Sequence, residues 1–234
     1  MNFFTLKWGE KYGPEYVNRL YGSLCAHYKK PFTLTCYTDD HRGIRDEVEV
    51  DEIRKLRPYN TDRVFTYEKL MLIERHESGI WIDLDVLIHQ DITNIFTPYD
   101  FTMIWNHWND YNTRSLLWYG KGSSCHVNSS FVHWDRAQWL PQYTHDNWKK
   151  ISWTYKSLDK YLFYQHHRMD RLHYWDDDLV SNYNIQGFKL KNKITIFNTS
   201  HIKANNLNDI GFELHESKRD IVALWKSYDR ATNP

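Results

Sequence analysis

The chain has few cysteines and does not cluster them. Its 234 residues contain three, Cys25, Cys36 and Cys125. Their odd number and wide spacing are typical neither of a disulfide framework nor of a cysteine-based metal site. The small disulfide-rich secreted class is therefore excluded, and a reducing compartment, the cytoplasm, is expected.

The chain also lacks a net charge and a long apolar run. Thirty Lys and Arg balance thirty Asp and Glu, so no overall field favours nucleic acid or an anionic membrane. No segment approaches the length of a membrane span, and residues 1–4 carry no basic flank before an apolar stretch. We expect a soluble protein with no nucleic-acid partner, no transmembrane segment and no export signal.

Repeats, low-complexity tracts and linkers are also missing, and the length suits one domain with a substantial core. Strand-like and helix-like patterns alternate at the start: a strand over 3–8, an amphipathic helix over 15–28 and a strand over 32–37. This order predicts a right-handed βαβ unit and a mainly parallel sheet, an α/β fold. Ligands of such sheets bind at the carboxyl ends of the strands.

The remaining elements follow from the same patterns. Residues 66–77 form a predicted helix, with Thr66 as its N-cap and Gly79 as its stop. The last helix is predicted over 216–228, and 137–174 is predicted to hold short helices and loops. Further strands are predicted over 48–53, 100–105, 127–134 and 193–197.

The most informative segment is the apolar run 80–88, which is interrupted by Asp83-Leu84-Asp85. A buried unpaired carboxylate is costly, so a compensating positive charge is expected. If the run is one strand, residues i and i+2 share a face, and Asp83 and Asp85 can hold one Mg²⁺ or Mn²⁺ ion. The alternative is a strand that ends at Asp83, with both acids solvated or capping a helix.

With these residues in view, the chain resembles the GT-A class of nucleotide-sugar glycosyltransferases, in particular small bacterial and phage enzymes related to families 8 and 32. A phage origin would place the protein in the host cytoplasm. The resemblance implies a single Rossmann-like GT-A domain, with a nucleotide- and metal-binding half over 1–98 and a sugar and acceptor half over 99–234. It rests on segments 5–12, 16–21, 32–40, 67–70, 81–88, 128–130, 175–181 and 196–203.

The resemblance implies roles for particular residues on the donor side. Asp39 would accept a base N–H, and Lys69 would neutralise phosphate or hold a sugar hydroxyl. Asn128, Ser129 and Ser130 resemble the donor-sugar segment. Base and ribose would be surrounded by Leu6, Lys7, Trp8 and Tyr12.

Asp83 and Asp85 would bind Mn²⁺ or Mg²⁺, which chelates the diphosphate of a UDP-sugar. The family adds a metal-binding His and a diphosphate-binding Lys late in the chain. Here the segment departs from that pattern and has Asn198 where the His would align. We expect His201 as third ligand, with Asn198 as the substitute, and Lys203 as the phosphate clamp.

The segment Asp176-Asp177-Asp178 resembles one that reaches the sugar near its anomeric centre. Because three adjacent acids repel one another in a small pocket, at least one should be solvated, and Asp177 is favoured as the catalytic one. On the acceptor side the sequence offers an aromatic cluster, either a sugar platform or core packing: Trp105, His107, Trp108 and Tyr111.

The expected function is transfer of a hexose from a UDP-sugar to a hydroxyl acceptor, with metal dependence and, by analogy with the two families, retention of configuration. One alternative is a non-catalytic sugar-binding module. Another is a haloacid-dehalogenase-type phosphatase, which also uses Asp-x-Asp after an apolar strand. Leu87 and the position of the motif at residue 83 count against it.

Overall fold

The computed structural model describes residues 1–56, 67–95, 97–107, 125–155, 157–197 and 216–231. Within these ranges the strands are β1 (Asn2–Lys7), β2 (Thr33–Thr38), β3 (Glu49–Glu52), β4 (Ser78–Ile82), β5 (Val86–Ile88), β6 (Phe101–Trp105), β7 (Val127–Asp135), β8 (His173–Tyr174), β9 (Val180–Asn182) and β10 (Ile194–Ile196). The α-helices are α1 (Pro14–His27), α2 (Glu68–Arg75), α3 (Trp139–Asp146), α4 (Trp148–Thr154), α5 (Leu158–Tyr161), α6 (Tyr183–Gln186) and α7 (Glu216–Ser227).

Seven strands form the central sheet in the order β3-β2-β1-β4-β7-β6-β8. β1 pairs in parallel with β2 and β4, which confirms the predicted βαβ unit and the mainly parallel α/β sheet. β7 runs against its neighbours β4 and β6. The carboxyl ends of β1, β4 and β6 therefore meet the amino end of β7 at one edge, which we call the carboxyl edge.

The two faces of the sheet bury separate cores, because successive strand residues point to opposite sides. On β1, Phe3 belongs to the core beneath α1 and α7, whereas Phe4 belongs to the core beneath α2 and α3. On β4, Ile80 and Trp81 divide in the same way. The helices thus cover both faces and leave the carboxyl edge as the place where loops can form a site.

The Asp-x-Asp segment is not part of one strand, so the shared-face argument for it is wrong. β4 ends at Ile82, Asp83-Leu84-Asp85 turns, and β5 begins at Val86 in a second, three-stranded sheet of order β5-β10-β9. The Val86 N–H donates to the Asp83 carbonyl at 3.2 Å, which closes the turn. β4 and β5 are both buried, so apolar residues lie on both sides of the turn and the sequence pattern does not show where one strand ends and the next begins.

Gly79 does not stop a helix, as the sequence pattern predicted, but lies inside β4. An added Cβ there would come within 2.5 Å of Phe4 Cε2 and 2.9 Å of the Trp134 ring. The strand needs a glycine because two core aromatic side chains pack directly against its backbone. The preceding helix is confirmed as α2, while Thr66, its predicted N-cap, lies outside the described residues.

The C-terminal helix is confirmed and packs against α1. Ile221 and Trp225 of α7 are buried, as is Tyr228 in the 3₁₀ turn that follows it. The Arg19 guanidinium donates to both oxygens of Asp229, at 2.7 and 2.9 Å. None of the helices in the described ranges is long and apolar enough to cross a membrane.

Candidate active site

A cavity of about 270 Å³ opens at the carboxyl edge, between the loop after β1, the turn after β4, the start of β7 and the start of α5. It brings together nine of the residues that the sequence nominated. They are Leu6, Trp8, Tyr12, Lys69, Asp83, Asp85, Asn128, Ser129 and Ser130. Leu6 and Ser130, 124 positions apart in the chain, thus share one pocket.

Asp39 fixes the position of the loop that follows β1. Gly9 adopts a φ of 61°, which favours glycine, and its N–H donates to Asp39 Oδ2 at 3.0 Å. Asp39 lines a neighbouring cavity, not the pocket. Lys7 is buried and its Nζ donates to the Asp40 carbonyl at 3.2 Å, so it too lies outside the pocket wall. In this structure both residues hold the shape of the loop that carries Trp8.

Backbone hydrogen bonds hold the acidic turn at both ends. The Asp83 N–H donates to the Ser130 carbonyl of β7 at 2.9 Å, and the Phe197 N–H donates to the Asp85 carbonyl at 3.0 Å. The two carboxylates therefore extend from a turn that is anchored to both sheets.

Lys69 supplies a positive charge to the first of these acids. Its Nζ lies 2.9 Å from Asp83 Oδ1 and 3.0 Å from Oδ2, and it also donates to the Ser129 carbonyl at 2.8 Å. The two side chains are only 13% and 28% exposed, so solvent screens the pair weakly. The Trp81 indole N–H donates to Asp83 Oδ1 at 2.5 Å. The compensating charge expected for a buried carboxylate is thus provided, at Asp83, by a lysine.

Asp159 is a pocket residue that the sequence analysis missed. Ser157 caps α5 by accepting the Lys160 N–H at 3.3 Å, and Asp159 accepts the Ser129 N–H at 3.1 Å. Burial raises the pKa of the Asp159 carboxyl, while Lys69 and the hydrogen bond from Ser129 oppose that rise. The signal for Asp159 in the sequence was weak. Ser157, three residues before Lys160, indicates where a helix begins and does not indicate a functional site.

The three acids at 176–178 are not among the residues that line this pocket. Asp177 Oδ1 lies 3.5 Å from His107 Nδ1, and its side chain is 69% exposed. Asp176 and Asp178 line a separate depression together with Lys191 and Lys193. The catalytic role of Asp177 stays a prediction, and its position gives it no contact with the pocket wall.

The predicted acceptor platform is described only in part, since Trp108 and Tyr111 lie outside the described residues. Trp105 is partly buried among other rings, with His126 stacked on it at 5.6 Å and Tyr174 at 4.9 Å. His107 contacts Asp177 and Gln186. The described part of this cluster is therefore mainly packing.

Oxygen donors for a hard cation are present at Asp83 and Asp85. Within the described ranges, however, no three acidic, histidine or cysteine side chains are grouped closely enough to hold a metal. His201, Asn198 and Lys203 all lie outside those ranges. The metal and phosphate roles predicted for these three residues therefore stay predictions.

Burial of Asp159 has a measurable consequence for stability. The pKa of Asp159 is raised in the folded protein above the value of about 4 that it has in the unfolded chain. Between these two pKa values the folded protein keeps a proton on Asp159 that the unfolded chain has released. Stability is therefore lost as pH rises from about 4 through the folded pKa. The free energy of unfolding, measured by urea titration, should exceed that of the wild type across this pH window in Asp159→Asn. The control variant Asp146→Asn, at an exposed position, should show no such increase. Parallel curves for wild type and Asp159→Asn would contradict the assignment.

The fold defined by this sheet and its carboxyl-edge pocket is that of the GT-A glycosyltransferases. Galactosyltransferase LgtC, solved in complex with donor and acceptor sugar analogues, matches with a TM-score of 0.62 at 11% identity, over 97% of this chain and 96% of that one. The glycosyltransferase GlyE of Streptococcus pneumoniae TIGR4 matches with a TM-score of 0.62 at 13% identity, over 99% of this chain and 60% of that one.

A glycosyltransferase involved in glycosylation of the major capsid of PBCV-1 matches with a TM-score of 0.53 at 11% identity, over 84% of this chain and 91% of that one. No protein-family model and no curated protein matches the sequence. At these identities the likeness shows the fold alone.

Proposed function

We propose that the protein is a glycosyltransferase that moves a hexose from a UDP-sugar to a hydroxyl acceptor, with Mn²⁺ or Mg²⁺ and with retention of configuration. One observation carries the proposal: the GT-A fold directs an aromatic loop, an acidic turn and a partly buried lysine into a single pocket. The solved LgtC structure with donor and acceptor sugar analogues supports a sugar-transfer role for this fold.

The nucleotide end of the donor is assigned to the loop after β1. Trp8, 38% exposed, and Tyr12 offer ring faces for a uracil or ribose, and buried Leu6 closes the floor. Asp39 holds this loop by accepting the Gly9 N–H. Its proposed contribution to base binding is therefore twofold: it fixes the loop, and it accepts a hydrogen bond from a base N–H.

The donor set fits a hard divalent cation, since Asp83 and Asp85 present carboxylate oxygens and the neighbouring Ser129 and Ser130 add only further oxygens. When bound, the cation would act as a Lewis acid toward the departing diphosphate. Lys69 is placed to add a second positive charge there, because its ammonium already lies in the pocket.

His201 and Lys203 are retained as the proposed third ligand and phosphate clamp. The described range 157–197 ends beside the acidic turn, where the Phe197 N–H donates to the Asp85 carbonyl, and this position of Phe197 supports the proposal. Asn198 keeps its place as the substitute ligand.

Asp159 is proposed as an acid beside the transferred sugar, in addition to the predicted Asp177. It lines the pocket with Lys69 and Asn128, whereas Asp177 does not. A carboxylate anchored through one oxygen by the Ser129 N–H can accept a sugar hydroxyl with the rest of its lone pairs. Asn128 and Ser129 contribute the amide and hydroxyl groups that suit the same task.

A panel of nucleotide sugars tests donor, metal and chemistry together. UDP and GDP release should be measured with Mn²⁺ and with EDTA, in the presence of simple sugar acceptors, and product anomers should be assigned by NMR. Release of UDP that depends on Mn²⁺ is expected. Glycan binding that EDTA does not affect, with no UDP released, would instead identify a sugar-binding module, and release of phosphate from phosphomonoesters would identify a phosphatase.

A further inference from the structure

One face of α4 exposes a tryptophan side chain next to two lysines. Trp153 is 85% exposed, although tryptophan is among the residues that gain most from burial. Lys149 and Lys150 precede it by four and three residues, so all three lie on the same side of the helix, and both lysines are exposed. Ile151 is buried and attaches the opposite side of α4 to the core.

The two ammonium groups are uncompensated within the described part of the chain, where neither forms an ion pair. Single exposed apolar residues are normal on protein surfaces. An exposed indole with two unpaired lysines beside it combines a flat ring face with local positive charge, in a protein whose overall net charge is zero. Such a surface fits a ligand that is both ring-shaped and anionic.

The surface lies close to the candidate active site along the chain. Ser157, which lines the pocket, follows Trp153 by four residues, and this separation limits the distance between their Cα atoms to about 14 Å. A ligand that occupies the pocket with one end could therefore extend across α4 with the other.

We propose that Lys149, Lys150 and Trp153 form a remote subsite for an anionic glycan acceptor. A sugar ring of the acceptor stacks on the Trp153 indole, and its carboxylate or phosphate groups pair with the two lysines. Binding of an anionic glycan at this surface stands on its own observations, whereas its role as the acceptor rests on the proposed glycosyltransferase function.

An anionic membrane is the competing occupant, and the surface suits it less well. Two lysines contribute only about 1 kcal/mol each near an anionic bilayer. α4 has seven residues, and Ser152 and Thr154 flank the exposed Trp153 indole, so little apolar area could enter the interface. Stacking on one ring plus two charge contacts is sufficient for a sugar chain and insufficient for stable membrane attachment.

Isothermal titration of the full chain with a defined oligogalacturonate, and with its methyl-esterified and therefore neutral form, tests the proposal. The acidic form should bind at least about tenfold more tightly than the neutral one. Lys149→Gln with Lys150→Gln, and separately Trp153→Ala, should each lose about tenfold or more in affinity for the acidic form. A matched control is the segment around Leu190, 72% exposed, with Lys189→Gln and Lys191→Gln, and separately Leu190→Ala, which should change nothing.

Unchanged affinity in the α4 variants, or equal losses in the Leu190 controls, would overturn the subsite. Co-sedimentation with vesicles of phosphatidylcholine and phosphatidylglycerol, lost in Trp153→Ala while oligogalacturonate fails to bind, would replace it with a membrane contact. Because these titrations need no donor, absence of sugar transfer together with intact glycan binding would reject only the acceptor role.

Discussion

Asp85→Asn should lower the rate of UDP release with Mn²⁺ by a factor of about 10² to 10³, the range seen when one group that stabilises transition-state charge is removed. Asn keeps the size of the side chain, and the turn keeps its bond from the Phe197 N–H to the residue 85 carbonyl. The loss therefore reports the carboxylate charge. Initial rates over a Mn²⁺ titration measure it, and Mn²⁺ binding by EPR provides a readout that does not depend on turnover.

Glu77→Gln is the matched control, since Glu77 is exposed and precedes the opposite end of the same strand, β4. It should retain the wild-type rate and Mn²⁺ affinity. An Asp85→Asn variant that releases UDP at the wild-type rate and binds Mn²⁺ as tightly would show that the acidic turn does not hold the metal.

Lys69→Gln should act in opposite directions on metal binding and on transfer. In the donor-free protein the ammonium lies 2.9 and 3.0 Å from the two Asp83 oxygens, so a cation on that carboxylate meets a like charge nearby. Unit charges about 4 Å apart interact by about 4 kcal/mol at an effective dielectric constant near 20. Removing the ammonium should tighten donor-free Mn²⁺ binding at least about tenfold, yet slow transfer about 10²-fold because diphosphate loses a neutralising charge.

Two further variants separate this effect from simple damage to the pocket. Lys69→Arg keeps the charge and should leave donor-free Mn²⁺ binding at the wild-type level. Lys55→Gln removes a lysine that pairs with Asp51 on another part of the surface and should alter neither quantity. If Mn²⁺ binds donor-free Lys69→Gln no more tightly than the wild type, Lys69 does not compete with the cation for Asp83.

The elements of the fold followed closely from periodicity. The six strands predicted outside the 80–88 run agree with observed ones to within one residue at each end, because buried strands such as β1 leave a clear apolar pattern, whereas the short strands β8 and β9 were not predicted. The Asp-Leu-Asp turn was missed for the same reason: its flanks are both buried, though in different sheets. An apolar run shows burial and does not show a change of sheet.

The candidate site was predictable where its residues follow strand ends and unpredictable where they meet through the fold. Trp8, Asp83 and Asp85 follow β1 and β4 directly, so the parallel-sheet rule brought them together. Asp159 reaches the pocket through a contact with Ser129, 30 residues away, which no local pattern encodes. The three consecutive acids at 176–178 were nominated through the resemblance alone, and all three are exposed in the structure.

The reversed direction of β7 has a consequence for how such a protein can acquire new substrates. β6 arrives at the carboxyl edge at Trp105 and β7 departs from it at Val127, so the chain leaves and re-enters the sheet at this one edge. New selectivity at such an edge can arise from residues that join paired strands, while the strand pairing itself is kept.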